Sequence, residues 1–153
     1  QTEKTLTELG EACPVHYEPF ESNRNEKAKT YPLTFMNCRT VYTAHSQHVD
    51  LPWIQEINPE PRLEMNPEDA AARNIADGEM VEVYNDRGGY QVKVKISNEI
   101  KPGCLNQAQG WWPKHFTKGH YAEMLHMELN KTQDFLYETN YAPYDNLVEV
   151  KKL

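Results

Sequence analysis

From Met80 to Tyr84 the chain reads MVEVY, and from Tyr90 to Ile96 it reads YQVKVKI. Val81 and Val83 alternate with Met80, Glu82 and Tyr84, and Val92, Val94 and Ile96 alternate with Lys93, Lys95 and Ser97. A period of two leaves one face of a strand buried and the other wet. The turn residues Asp86-Arg87-Gly88-Gly89 between the two runs predict a hairpin. The apolar, β-prone segment Tyr31 to Met36 predicts a first buried strand. Short strands are also expected at Leu63 and after Lys101-Pro102-Gly103, and a weaker alternation over Leu147 to Leu153 predicts a final returning strand.

One helix carries a full set of terminal signals. Asn66 is a good N-cap, Pro67 sits where its missing N–H costs nothing, and Glu68 and Asp69 complement the helix dipole. Ala70-Ala71-Ala72 propagates the helix and Asn74 can close it in the left-handed conformation. A second helix is expected over Tyr121 to Leu129, where Met124, Leu125 and Leu129 are apolar. Asn37 to Val49 lacks an apolar stripe and reads as a loop leaving a buried strand, where binding groups are usually placed. Residues 1–29, rich in Glu, Asn, Lys and Thr and interrupted by Pro14 and Pro19, read as an extended arm or linker ahead of one domain over 30–153. Many short strands with Gly/Pro turns at even spacing predict a mainly β domain closed into a barrel, with one or two short helices.

The 153 residues fit a single core. Their start at Gln1, with no initiator Met, suggests a piece of a larger protein. The net charge of −7 argues against nucleic acid, which needs clustered Lys and Arg. An anionic ligand would have to be met by a few placed donors: backbone amides, helix N-termini, one or two arginines. No apolar run is long enough to span a membrane, so no membrane insertion is expected, and the compartment is left open. Cys13, Cys38 and Cys104 are scattered and odd in number, which argues against a disulfide framework, a zinc site or iron–sulfur ligation within the chain, with buried free thiols as the default. The six histidines show no HxxxH pair and read as surface or packing residues.

The order of elements from Leu63 to Gln107, with Arg39 and His45-Ser46 before it and Gln109-Gly110-Trp111-Trp112 after it, resembles the C-terminal molybdopterin-dinucleotide-binding domain of the dimethyl sulfoxide reductase family of molybdenum and tungsten oxidoreductases. The resemblance covers roughly residues 30 to 150. It implies a six-stranded double-psi β-barrel and a cofactor, molybdopterin guanine dinucleotide with Mo or W, held jointly with preceding domains of the same polypeptide. An iron–sulfur electron-transfer subunit is an implied partner of the whole enzyme, and the domain alone is expected to be inactive. Carried onto this chain, the resemblance assigns cofactor contacts to Arg39, Thr40, His45, Ser46, Gln47, Gln109, Gly110, Trp111 and Asn146.

Asn37-Cys38 stand where the family often has Thr-Gly, and Asn146-Leu147 match only part of an Asn-x-Leu-Thr segment, with Asn140 as a fallback. For Arg39 the competing reading is an ion pair with one of the many carboxylates; for Trp111 and Trp112 it is core or interdomain packing. The glycines at 88 and 89 read as turn structure, not a phosphate cradle. Aspartate decarboxylases share the barrel but cleave before the Ser of a Gly-Ser pair, which is absent here. The alternative function is a free-standing double-psi barrel used as a recognition module, which would show a basic or apolar groove and no cofactor-facing loops.

Overall fold

A computed structural model of the chain describes residues 2–8, 10, 12–14, 16, 18–126 and 146–153. Its strands are β1 (Leu33–Met36), β2 (Arg62–Met65), β3 (Met80–Tyr84), β4 (Gly89–Ile96), β5 (Cys104–Gln107), β6 (Lys118–Gly119) and β7 (Asn146–Lys152). Six of them run in the order β2-β5-β1-β7-β3-β4, and pairing of β2 with β4 closes the sheet into the expected six-stranded barrel. The two-residue β6 adds to the outer edge of β4 at Tyr90 and Gln91.

Two of the barrel pairs are parallel, β1 with β5 (Phe35 opposite Leu105) and β2 with β4 (Leu63 opposite Val94). The remaining pairs are antiparallel. These directions place the exits of β1, β3 and β5 and the starts of β2, β4 and β7 at one end. The connections 37–61 and 85–88 and the chain leaving β5 at 108 therefore lie at that end. The opposite end carries the connections 66–79 and 97–103.

The alternation read from the sequence is the burial pattern of the barrel. Val81, Val83, Val92 and Val94 point inward with Leu33, Phe35, Leu63, Met65, Leu105, Val148 and Val150, while Lys93 and Lys95 face water. The capped helix is α3 (Pro67–Ala72), following α1 (Thr2–Glu8) and α2 (Pro52–Ile57). The Asn66 side chain accepts from the Glu68 N–H at 2.9 Å, and Asn74 closes the turn at φ +54°. Asn66 also donates to the Ile100 carbonyl at 2.6 Å, and the Asp69 carboxylate accepts from the Gly103 N–H at 2.7 Å. These bonds tie the two connections of the short-loop end together.

Several expectations are corrected. Tyr121 to Leu129 is not one helix: a single 3-10 turn over Tyr121–Met124 is followed by Leu125 in extended backbone, and 127–129 lie outside the described residues. Cys13 and Cys38 are exposed and Cys104 half-buried, because Cys38 lies beyond the end of β1 and Cys104 alternates with the inward-facing Leu105. α2 was not anticipated; it starts at Pro52 and buries Ile54 alone.

The arm does not run free of the barrel. The Glu21 side chain is fully buried and takes both amino groups of Arg87, at 2.5 and 3.1 Å, the Lys27 ammonium, and the Leu147 N–H at 2.7 Å. Lys27 also pairs with Asp86 at 2.8 Å, and Arg87 Nε donates to the Met124 carbonyl at 2.7 Å. One buried carboxylate thus joins residues 18–29, the β3–β4 turn, the 3-10 turn and the start of β7. The turn at 85–88 joins β3 and β4 as the hairpin expected from the sequence.

Burial pushes the Glu21 carboxyl up, but Arg87, the Leu147 N–H and Lys27 outweigh it and hold it down to about 2, from an ordinary value of 4.5. A depressed carboxylate contributes stability above its unfolded-state value and loses it as pH falls toward the folded one. The unfolding midpoint in urea should therefore fall between about pH 5 and pH 2. Glu21→Gln should lower stability at neutral pH by about 3 to 5 kcal/mol, the cost of orphaning a buried partner, and should flatten the acid profile. An unchanged profile would remove Glu21 from this role.

Candidate functional site

The long-loop end holds a groove of about 500 Å³, within the usual size of a ligand site. It is lined by Cys38 to Tyr42 after β1, Ile57 to Glu60 after α2, Arg62 and Glu64 of β2, Lys95 of β4, and Asn106, Ala108 and Trp111 at and beyond β5. The parallel pairing of β1 and β5 brings these loops together, since both strands leave the barrel side by side.

The two exits are stitched to one another. Asn37 Nδ2 donates to the Gln107 carbonyl at 2.9 Å, the Cys38 N–H to Asn106 Oδ1 at 3.2 Å, and the Gln109 N–H to the Cys38 carbonyl at 3.0 Å. The Asn37-Cys38 pair that departs from the family pattern is thereby the strap between β1 and β5. Beneath it, the buried Gln107 accepts from the Tyr90 hydroxyl at 3.1 Å. Further round the loop, Gly110 has φ +100°, and a Cβ there would collide with the His45 carbonyl oxygen. His45 is itself in the left-handed region, at φ +54°.

The expected residues fall into three places. Arg39, Thr40 and Trp111 line the groove; Trp111 is buried, while Trp112 is about half exposed and is not core in this chain. His45 and Ser46 lie against Gly110, next to Gln109, with Gln47 in the same tight turn, its N–H donating to Ala44. Thr40 turns its hydroxyl inward to the Tyr42 and Thr43 N–H groups, so it shapes the loop. Asn146 stands apart. It is buried at the first position of β7 opposite Phe35, at the same barrel end but outside the groove lining, and it accepts from the His126 N–H at 3.3 Å. Asn140 lies outside the described residues.

Charge in the groove is almost fully compensated. Hydrogen bonding from Lys93 is the main influence holding the Glu60 carboxyl below its ordinary value, with Arg62 assisting; burial raises Glu64, but Lys95 and Asn106 more than reverse it. Arg24, Arg62, Arg73 and Arg87 all sit in ion pairs. Arg39 makes none among the described residues, in a chain of net charge −7. On the loop after β5, whose Gln109 N–H bonds the Cys38 carbonyl, Gln109 Nε2 is buried with no hydrogen-bond partner in the described structure. A buried donor left unmade costs about 1 to 3 kcal/mol unless a ligand accepts from it. A cation without an ion pair among the described residues, with an unpartnered donor on the loop beside its groove, is chemistry that can receive an anionic, acceptor-rich ligand.

Asn106, Arg62 and Lys95 were not singled out from the sequence. Their outward register positions on β2, β4 and β5 follow from the same alternation that marked the core. No group of His, Cys, Asp or Glu among the described residues is placed to hold a metal ion, and no described helix is long and apolar enough to cross a membrane.

Residues 33–141 match the family model of the molydopterin dinucleotide binding domain. The chain is 42% identical over 125 residues to a putative catalytic chain of dimethyl sulfoxide reductase from Halobacterium salinarum, covering 82% of this chain and 14% of that protein. It is 33% identical over 141 residues to the dimethyl sulfoxide reductase DmsA of Haemophilus influenzae, covering 92% of this chain and 17% of that protein. In fold it is similar to acetylene hydratase from Pelobacter acetylenicus, with TM-score 0.73 at 20% identity, over 97% of this chain and 22% of the other.

The chain therefore belongs to the molybdopterin-dinucleotide-binding domains of the dimethyl sulfoxide reductase family. It spans 14% to 17% of the length of the reductases it matches.

Gly110→Ala should cost about 2 to 4 kcal/mol, since it adds a collision with the His45 carbonyl to a strained φ. Gly78→Ala, at φ +78° with nothing within 4 Å, should cost about 1 kcal/mol. Equal losses in urea unfolding would mean that the two loops do not touch as described.

Proposed function

We propose that this chain is the cap of a larger molybdenum or tungsten oxidoreductase, closing bis(molybdopterin guanine dinucleotide) against preceding domains of the same polypeptide. The observation that supports the reading is that Arg39, which makes no ion pair among the described residues, lines the groove, while Gln109, whose Nε2 has no partner there, is tied by its backbone N–H to the Cys38 carbonyl next to Arg39 and lies between the groove residues Ala108 and Trp111. When bound, the dinucleotide supplies two-electron or oxygen-atom transfer at its metal. This chain's part is to bind and orient it.

Arg39 offers two parallel N–H donors that match pyrophosphate oxygens. Gln109 Nε2 donates to a pterin or phosphate acceptor, where desolvation strengthens the bond. Trp111 closes the wall behind them, and Gly110 allows the Gln109–Trp111 backbone to lie against the loop of His45, Ser46 and Gln47. Thr40 holds the Arg39 loop in its turn, and Asn146 sets the start of β7 beside the exit of β1.

Val41, Tyr42, Trp53, Ile57 and Trp112 are large apolar side chains exposed on the loops and the short helix of this same end, Val41 to 92%. Apolar surface of that kind is what remains when one side of an interdomain cleft is taken alone. An iron–sulfur subunit would serve as the electron partner of the whole enzyme. A free-standing recognition module accounts for the apolar rim but gives no use for the orphan donor.

In the intact gene product, Arg39→Ala and Gln109→Ala should each lower bound pterin, measured by the fluorescence of its oxidised derivative, by about tenfold. Lys101→Ala, at the short-loop end, should leave it unchanged. Pterin content equal in all three would contradict the assignment. This chain expressed without the remaining domains should show no turnover in a reduced-dye assay, and turnover there would contradict the cap reading.

A further inference from the structure

Two side chains outside the expected set hold the segment that carries the ligand donors. We propose that His120 and Tyr121 are paired positioning residues for Gln109–Trp111, fixing the direction in which the Gln109 amide meets the dinucleotide; this rests on the cofactor reading above. The Gly110 N–H donates to the Tyr121 hydroxyl at 3.2 Å. His120 Nε2 lies 3.0 Å from the Trp111 carbonyl oxygen, and His120 Nδ1 accepts from the Ala122 N–H at 3.2 Å. An accepting Nδ1 carries no proton, so Nε2 carries it and donates to Trp111.

The two rings pack against each other at a tilt, with centroids 4.1 Å apart and 34° between their planes. Phe116 stands edge-on to both, at 5.4 and 5.9 Å, and the buried Tyr90 backs Phe116 at 5.3 Å. On its other side Gly110 is stopped by the His45 carbonyl. The Gly110–Trp111 stretch is thus gripped at one N–H and one C=O and walled by a rigid aromatic block. The neighbouring Gln109 Nε2 is the donor left over.

His120 also caps the 3-10 turn over Tyr121–Met124, so deleting it would confuse positioning with folding. Asparagine and glutamine separate the two jobs. In His120→Asn the amide oxygen falls near the Nδ1 position, keeping the cap and losing the Trp111 bond. In His120→Gln the amide nitrogen reaches the Nε2 position, keeping the Trp111 bond and losing the cap. Tyr121→Phe removes only the acceptor for the Gly110 N–H.

The test uses the intact gene product isolated with its cofactor. Release of pterin in mild urea is followed by fluorescence, with the electron paramagnetic resonance of the bound metal as a second readout. Tyr121→Phe and His120→Asn should release pterin about tenfold faster and shift the resonance, while His120→Gln stays within about threefold of the parent. The reverse order of the two His120 variants would reduce His120 to a helix cap and overturn the proposal, as would three variants that match the parent. A parent protein that carries no pterin would instead overturn the cofactor reading itself, and this proposal with it.

Discussion

Barrel closure through two parallel strand pairs is the constraint on which the rest depends. Parallel neighbours cannot be joined by a tight turn, so the chain must travel between them through long connections. With β1 beside β5 and β2 beside β4, β1 and β5 leave the barrel side by side where β2 enters it, and the groove forms between the loops there. The other end needs only α3 and a short loop, which its own hydrogen bonds hold. One end thus serves stability and the other is left to carry a ligand.

Electrostatics sharpen that division. An acidic chain would be a poor host for a dinucleotide if its field acted alone. Ion pairing removes most of the field locally: Glu60 and Glu64 are matched by Arg62, Lys93 and Lys95 around the groove, and the arm's carboxylate is matched by Arg87 and Lys27. Against that neutralised background Arg39, without a counter-ion among the described residues, sets the sign of the site. The buried Glu21 cluster adds a mechanical link, because its Leu147 contact fixes the start of β7 beside Asn146.

Much of this was legible in the sequence. The strands at 80–84 and 89–96 follow from period-two alternation, which no neighbouring signal contradicts. α3 follows from Asn66, Pro67, Asn74 and the acidic first turn, all local. Arg39 and Gln109 were assigned as cofactor contacts from their order along the chain, which the resemblance interprets. What stayed hidden is non-local. Glu21 sits in a polar arm with nothing to mark it for burial, and its partner Arg87 is 66 residues away. The apolar Met124 and Leu125 suggested a longer helix, but the His120 cap yields one 3-10 turn that delivers Met124 to the core. The bond from Gly110 to the Tyr121 hydroxyl leaves no periodic trace, since it depends on how two loops meet.

The most direct measurement is the structure of the intact gene product with its dinucleotide bound. The account predicts the Arg39 guanidinium and Gln109 Nε2 within hydrogen-bonding distance, about 3 Å, of cofactor oxygen or ring acceptors, with the apolar rim of Val41, Tyr42 and Ile57 covered by the rest of the polypeptide. A cofactor seated at the opposite end, beside α3 and the loop 97–103, with the Arg39 groove open to water, would contradict it.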